Sequence, residues 1–153
     1  MANTRWLDEQ EMAAWTAFLE ATHRVFREVE AQLRDEAGLS HPQYEVLVKL
    51  AAAGADGLRM TVLASSLITS KSGLTYQVGQ LEKRGLVRRW ECPTDTRGVS
   101  AGITPDGLEA LRAAAPGHAE QVRAVLIDLL DRPQLAALAD AMGTVNTRLR
   151  DGG

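Results

Sequence analysis

A chain of 153 residues with 45% hydrophobic residues can bury the core of one ordinary domain, and its single cysteine, Cys92, excludes a disulfide framework or a Cys-rich zinc site. Only 5% of the residues are aromatic while Ala and Leu abound, which predicts helices packed on helices with little sheet. The 17 Lys and Arg against 20 Asp and Glu give a net charge of -3, and the acidic N-terminus MANTRWLDEQEMAAW has neither the apolar run of a signal peptide nor that of a membrane span, so a cytoplasmic protein is expected.

Residues 8–36 carry few helix breakers and repeat Met12, Trp15, Phe18 or Leu19, Thr22, Phe26, Val29 and Leu33 at helical spacing, which predicts one long amphipathic helix stopped by Gly38. Ser40 stands as N-cap before Pro42 and a second helix, carrying Tyr44, Leu47, Val48 and Leu50, that ends near Ala53. A short helix is expected over 61–67, capped by Thr61 and burying Val62, Leu63 and Leu67. A further helix over 71–84 places Leu74, Val78 and Leu81 on one face, and Gly85 closes it. The period then changes: 86–92 reads as a strand ending at Pro93, 99–103 as its partner, and 93–98 as the polar loop of a two-stranded hairpin. Thr104 and Pro105 open another helix whose pattern reaches about Asp131, with Pro116-Gly117 expected to kink or break it. The last helix is predicted from Pro133 to about Arg150.

Three short helices followed by a hairpin is the order of a winged helix-turn-helix, in which the third helix enters a DNA major groove and the hairpin reaches a neighbouring groove. Charge agrees with this order. Residues 59–98 hold Arg59, Lys71, Lys83, Arg84, Arg88, Arg89 and Arg97 against Glu82, Glu91 and Asp95, a local +4, which leaves -7 for the remainder. A basic module inside an acidic chain is what phosphate contact requires. Because Leu74, Val78 and Leu81 take the inner face, Ser70, Ser72, Thr75, Tyr76 and Gln80 are the groove-facing candidates, with Lys71 beside them, although Ser70 and Ser72 serve equally well as helix caps. Arg88 and Arg89 point to opposite sides of a strand, so only one can face phosphates well.

The run LRMTVLASSLITSKSGLTYQVGQLEKRGLVRR with CPTDTRGVSAGITPDG resembles the DNA-binding core of MarR-type regulators. The opening WLDEQEMAAWTAFL and AAAPGHAEQVR resemble an actinobacterial branch of that family, so the likeness covers nearly the whole chain. Its most specific pieces are LEKRGLV, the wing D-x-R-G of Asp95, Arg97 and Gly98, and the T-x-x-G of Thr104 and Gly107. The resemblance implies a mainly α fold: a single domain in which 40–104 form the winged DNA-binding lobe and long helices in 1–36 and 105–153 form a homodimer base. It further implies recognition of a palindromic double-stranded operator through helix 71–84 and wing 86–103, Arg97 in a minor groove with Asp95 orienting it, and a small, commonly aromatic effector that releases a repressor. Trp15, Phe18 and His23 with Tyr44 are candidates for the effector pocket, or are simply core, and Trp6 is a candidate for packing across the dimer.

Gly73, Tyr76, Gly79 and Gln80 depart from the branch pattern, which has basic, His or acidic side chains at those places, so no Arg-to-guanine contact is available there, though Gln80 can read adenine. This keeps open an alternative, a protein of the same fold that binds or even transforms a small molecule in the dimer pocket with weakened or lost DNA binding. His23, His41 and His118 lack metal-ligand spacing, no phosphate-binding loop or catalytic motif is present, and Cys92 reads as an inert thiol, so neither a metal, a cofactor nor an enzyme is expected.

Overall fold

The computed structural model describes residues 3–67, 71–93 and 95–152, with side chains for all of these except 71 and 95–97. The elements are α1 (Glu9–Ala37), α2 (His41–Ala53), β1 (Leu58–Arg59), α3 (Met60–Leu67), α4 (Lys71–Lys83), β2 (Val87–Cys92), β3 (Asp95–Ile103), α5 (Pro105–Val125) and α6 (Arg132–Asp151). They form two compact units, residues 29–118 and residues 1–28 with 119–153.

The unit of residues 29–118 holds the core. Gly38 leaves α1 with φ 64° and donates its amide to the Arg34 carbonyl, so the chain turns after one long helix. Ser40 then starts α2 with a capping box: its hydroxyl accepts from the Gln43 amide at 3.2 Å, and the Gln43 side chain accepts from the Ser40 amide at 3.1 Å. Fully buried Leu33, Leu39, Leu47, Leu50, Leu63, Leu74 and Leu81 fill the interior together with Val46, Val78 and Val87. Each such side chain stabilises the unit by roughly 1.5–3 kcal/mol through area removed from water.

The sheet is three-stranded and antiparallel in the order β1-β3-β2, where the sequence indicated a two-stranded hairpin. The additional strand is Leu58–Arg59, paired with Ala101 and Ser100; two residues are too few to show a period of two in the sequence. The central strand β3 begins at Asp95 rather than Val99, since pairing of Cys92 with Asp95 through an irregular step after Glu91 extends the ladder into the expected loop. In α3 the helix begins at Met60, so Thr61 is inside it, and Val62 is half exposed while Leu63 and Ala64 are buried. The helix-facing side of α3 is therefore rotated from the one expected.

Helix α5 passes through Pro116 without a break. Pro116 is exposed, and a proline removes one amide donor without forbidding the helix when its neighbours hold it on both sides. Gly117 lies close against the side chains of Gln32 and Glu36 on α1, where a β-carbon would stand 2.6 Å from Glu36 Oε2. The helix ends at Val125, a short 3-10 turn covers Ile127–Leu129, and a second capping box, Asp131 with Gln134, starts α6.

In the unit of residues 1–28 and 119–153 no described side chain is buried. The apolar seam read along α1 is therefore split: Val29 and Leu33 are core, whereas Met12, Trp15, Phe18, Leu19 and Phe26 are exposed, as are Leu138, Val145 and Leu149 on α6.

Thr104 and Gly107 join the sheet to α5. The Thr104 hydroxyl donates to the Gly85 carbonyl at 2.6 Å and accepts from the Gly107 amide at 3.0 Å. A β-carbon at 107 would overlap the Leu86 carbonyl oxygen and stand 2.7 Å from Ile103 Cγ1. Backbone cannot yield as a flexible side chain can, so Gly107→Ala is expected to destabilise the protein by about 1–3 kcal/mol, read as a lower denaturation midpoint at unchanged m-value.

Candidate nucleic-acid interface

Helix α4 is amphipathic in the sense the spacing predicts. Leu74, Val78 and Leu81 are buried to 2%, 0% and 0% exposure, and the face between them is turned outward with Ser72, Thr75 and Tyr76 exposed and Gln80 half-buried. Tyr76 is 62% exposed. Lys71 is the first residue of α4, and Ser70 lies outside the described residues. Gly79 has room for a β-carbon, its nearest neighbour being Arg89 Nη2 at 3.9 Å, so the glycine there is not required by packing.

The two arginines of β2 divide as strand alternation requires. Arg89 faces α4 and binds Glu82: its amide donates to Oε2 at 3.1 Å, while Nε and Nη2 donate to Oε1 at 3.3 and 2.9 Å. These hydrogen bonds hold the Glu82 carboxyl below the usual carboxylate range. Arg89 is thus a strut between the sheet and the C-terminal end of α4, and Arg84 ties that end to the turn after α1, its Nη1 donating to the Gly38 carbonyl at 2.7 Å. Arg88 remains on the outer face of the sheet, its guanidinium 4.2 Å above the Trp90 ring. Asp95 and Arg97 lie in the first part of β3, next to the turn that links it to β2.

Sequence reasoning missed how the outer face of the sheet is covered. Trp90 pairs with Ser100, which follows Arg59 in the same cross-strand row, so these three share a face with Gly98 and Gly102. The Trp90 ring lies flat on this surface: a β-carbon at Gly102 would be 3.1 Å from Trp90 Cζ3, and one at Gly57 would be 2.7 Å from Cη2. Cys92, two residues beyond Trp90 on β2, lies nearby with its Sγ 3.2 Å from Ser100 Oγ. The available signal was the alternation Gly98, Ser100, Gly102 within a strand, which leaves one face without bulk.

Of the pocket candidates, Trp15 and Phe18 stack at 6.2 Å in the terminal unit, both exposed, and His23 is exposed on the same helix. Tyr44 belongs to the other unit, buried to 7% exposure with its ring 4.3 Å from that of His118. A cleft of about 470 Å³ opens beside it, lined by His41, Pro42, Glu45, Val46, Lys49, Ser66, Leu67, Leu74 and Gln77, none of them among the four candidates. The side-chain oxygen of Gln77 is buried there without a hydrogen-bond partner.

A sequence profile of the MarR family matches residues 39–99, which run from just before α2 through β2 into β3. AbsC, a MarR family transcriptional regulator from Streptomyces coelicolor, is 38% identical over 97% of this chain and 99% of its own, with a TM-score of 0.90. The chain belongs to the MarR family. A second MarR family regulator from the same organism, Sco3205, solved in complex with DNA, is 40% identical over 94% of this chain and 90% of its own, also with a TM-score of 0.90. The transcriptional regulator HosA of Escherichia coli is 35% identical over 78 residues, a match that spans 56% of its length. The fold is accordingly the mainly α winged helix-turn-helix expected from the order of elements. Among the described residues no helix is long and apolar enough to cross a membrane.

His118 is a titratable group altered by this packing. Burial, and then the nearby His41, hold its imidazole below the ordinary value, against the opposite pull of Glu45. Nδ1 is buried without a partner. A histidine kept neutral in the fold stabilises it above the unfolded-state value of about 6.5, and that contribution is lost as the pH falls toward the lower folded value. As the pH falls below about 6.5, stability is therefore expected to drop more steeply than in His118→Gln, measured by denaturant titration at successive pH values.

Proposed function

We propose that this MarR family protein is a homodimeric, DNA-binding transcriptional regulator, a repressor that reads a palindromic operator and is released by a small ligand. The observation that carries the reading is the outward face of α4. Its apolar residues are buried without remainder, so Ser72, Thr75, Tyr76 and Gln80 form a polar surface bordered by Lys71 and by the basic strands of the sheet. The 40% identical Sco3205, solved with DNA, supports placing that surface in a major groove and Arg97 at the adjacent minor groove. Arg88 adds phosphate contact, and Arg89, neutralised by Glu82, does not.

Dimerisation is supported by the terminal unit. Segments 1–28 and 119–153 expose Trp15, Phe18, Leu19, Leu138 and Leu149 and bury none of their described side chains, so they need a partner, and a second copy supplies matching apolar faces. A two-fold axis there presents two α4 helices to half-sites about one DNA turn, roughly 34 Å, apart. Sedimentation is expected to give a dimer at micromolar concentration, with Phe18→Asp shifting it to monomer.

Ligand control is supported by the 470 Å³ cleft, which is of a size that takes small molecules and offers Lys49, His41 and the unpartnered Gln77 oxygen between apolar walls. A ligand there, or against Trp15 and Phe18, releases DNA only if it prefers a dimer in which the two recognition helices no longer fit the half-site spacing.

The experiment is a gel-shift series on the DNA upstream of the protein's own gene with a salt titration. Specific binding is expected to weaken linearly in log salt, and Arg97→Ala to lower affinity about tenfold. Gly73 and Gly79 in α4 favour one other reading, a pocket protein that no longer reads DNA. Absence of a specific complex at every salt concentration would select it.

A further inference from the structure

Arg59 is placed where the wing begins to leave the body of the fold. Its backbone pairs with Ser100 from β1, and its side chain runs along β3 toward the turn, so that the guanidinium lies over Gly98. A β-carbon at 98 would overlap Nη2 and stand 3.1 Å from Cζ and 3.3 Å from Nε, which means that the Nε, Cζ and Nη2 part of the planar group occupies the space of the missing side chain. Gly98 is not among the glycines with positive φ, which are 38, 54, 57 and 85. The backbone there does not require glycine, and the three atoms nearest the missing β-carbon all belong to Arg59.

We propose that Arg59 is a positioning residue for the wing: its guanidinium braces Gly98 and thereby fixes the strand from which the adjacent Arg97 is presented to DNA. The presentation of Arg97 rests on the function proposed above; the brace itself does not. Chemistry favours arginine for the task. A planar, weakly hydrated guanidinium packs flat on a peptide plane, whereas a lysine ammonium at the same reach remains hydrated and leaves the glycine face uncovered. The brace also explains why β1 exists as a strand of two residues. Those residues carry the side chain that holds the neighbouring strand one row further out.

The test combines hydrogen exchange of the free protein with a double-mutant cycle. Arg59→Ala and Arg59→Lys are expected to speed exchange of the amides of residues 95–100 about tenfold, without a comparable change in α2 or α4. Gly98→Ala is expected to do the same in the presence of Arg59 and to add nothing in Arg59→Ala, because the three atoms nearest the methyl are then gone. Unchanged exchange in Arg59→Ala, wild-type exchange in Arg59→Lys, or effects of Arg59→Ala and Gly98→Ala that simply multiply would each overturn the brace. On operator DNA, Arg59→Ala is expected to cost about tenfold in affinity when Arg97 is present and nothing in Arg97→Ala. An equal loss in both backgrounds would make Arg59 a direct phosphate contact and overturn the positioning role. If the wild-type protein binds no DNA, the function proposed above fails while the exchange measurements still decide the brace.

Discussion

The buried stripe of Leu74, Val78 and Leu81 is the constraint from which the rest of the DNA-binding lobe follows. A helix of 13 residues is marginal by itself, and α4 carries glycine at 73 and 79, each worth about 1 kcal/mol of lost helix propensity. Its persistence depends on the apolar side being inserted between α2 and the sheet. Insertion fixes rotation about the helix axis, and rotation decides that Ser72, Thr75 and Tyr76 meet solvent. The Arg89–Glu82 pair then ties the last turn of α4 to β2, so helix and wing are set by one packing solution.

The two units express opposite uses of apolar surface. Residues 29–118 close over a core of leucine and valine that is complete within one chain. Residues 1–28 and 119–153 leave a comparable supply of large side chains uncovered, Trp6 at 83% exposure among them. Burying such faces between two chains makes folding and assembly one equilibrium for that unit, so its stability scales with protein concentration.

Much of this was legible in the sequence because the helices obey simple periodicity and punctuation. Gly38, Ser40, Pro42 and Gly85 each sit where the chain turns, and the inner face of α4 follows from three residues. The parts that were not legible depend on neighbours distant in the chain. Two residues at 58–59 become a strand only because β3 passes alongside. Pro116 stays within a helix because the segments before and after it are already held, and the sequence shows the breaker without showing the support. The outward polar residues of α4 were readable by elimination. The roles of Arg88 and Arg89 were not, since alternation separates them without saying which side holds Glu82, and Ser70 falls outside the described residues.

The outer face of the sheet adds a property of another kind. Trp90 rests on Gly57 and Gly102, and Arg88 rests on Trp90, so its cohesion comes from flat groups in van der Waals contact, which dissolved ions screen far less than they screen exposed charge pairs. Raising the ionic strength therefore removes the attraction for a polyanion while leaving the scaffold of the wing in place. A salt titration of this protein therefore reports displaced counterions and not a loosening wing.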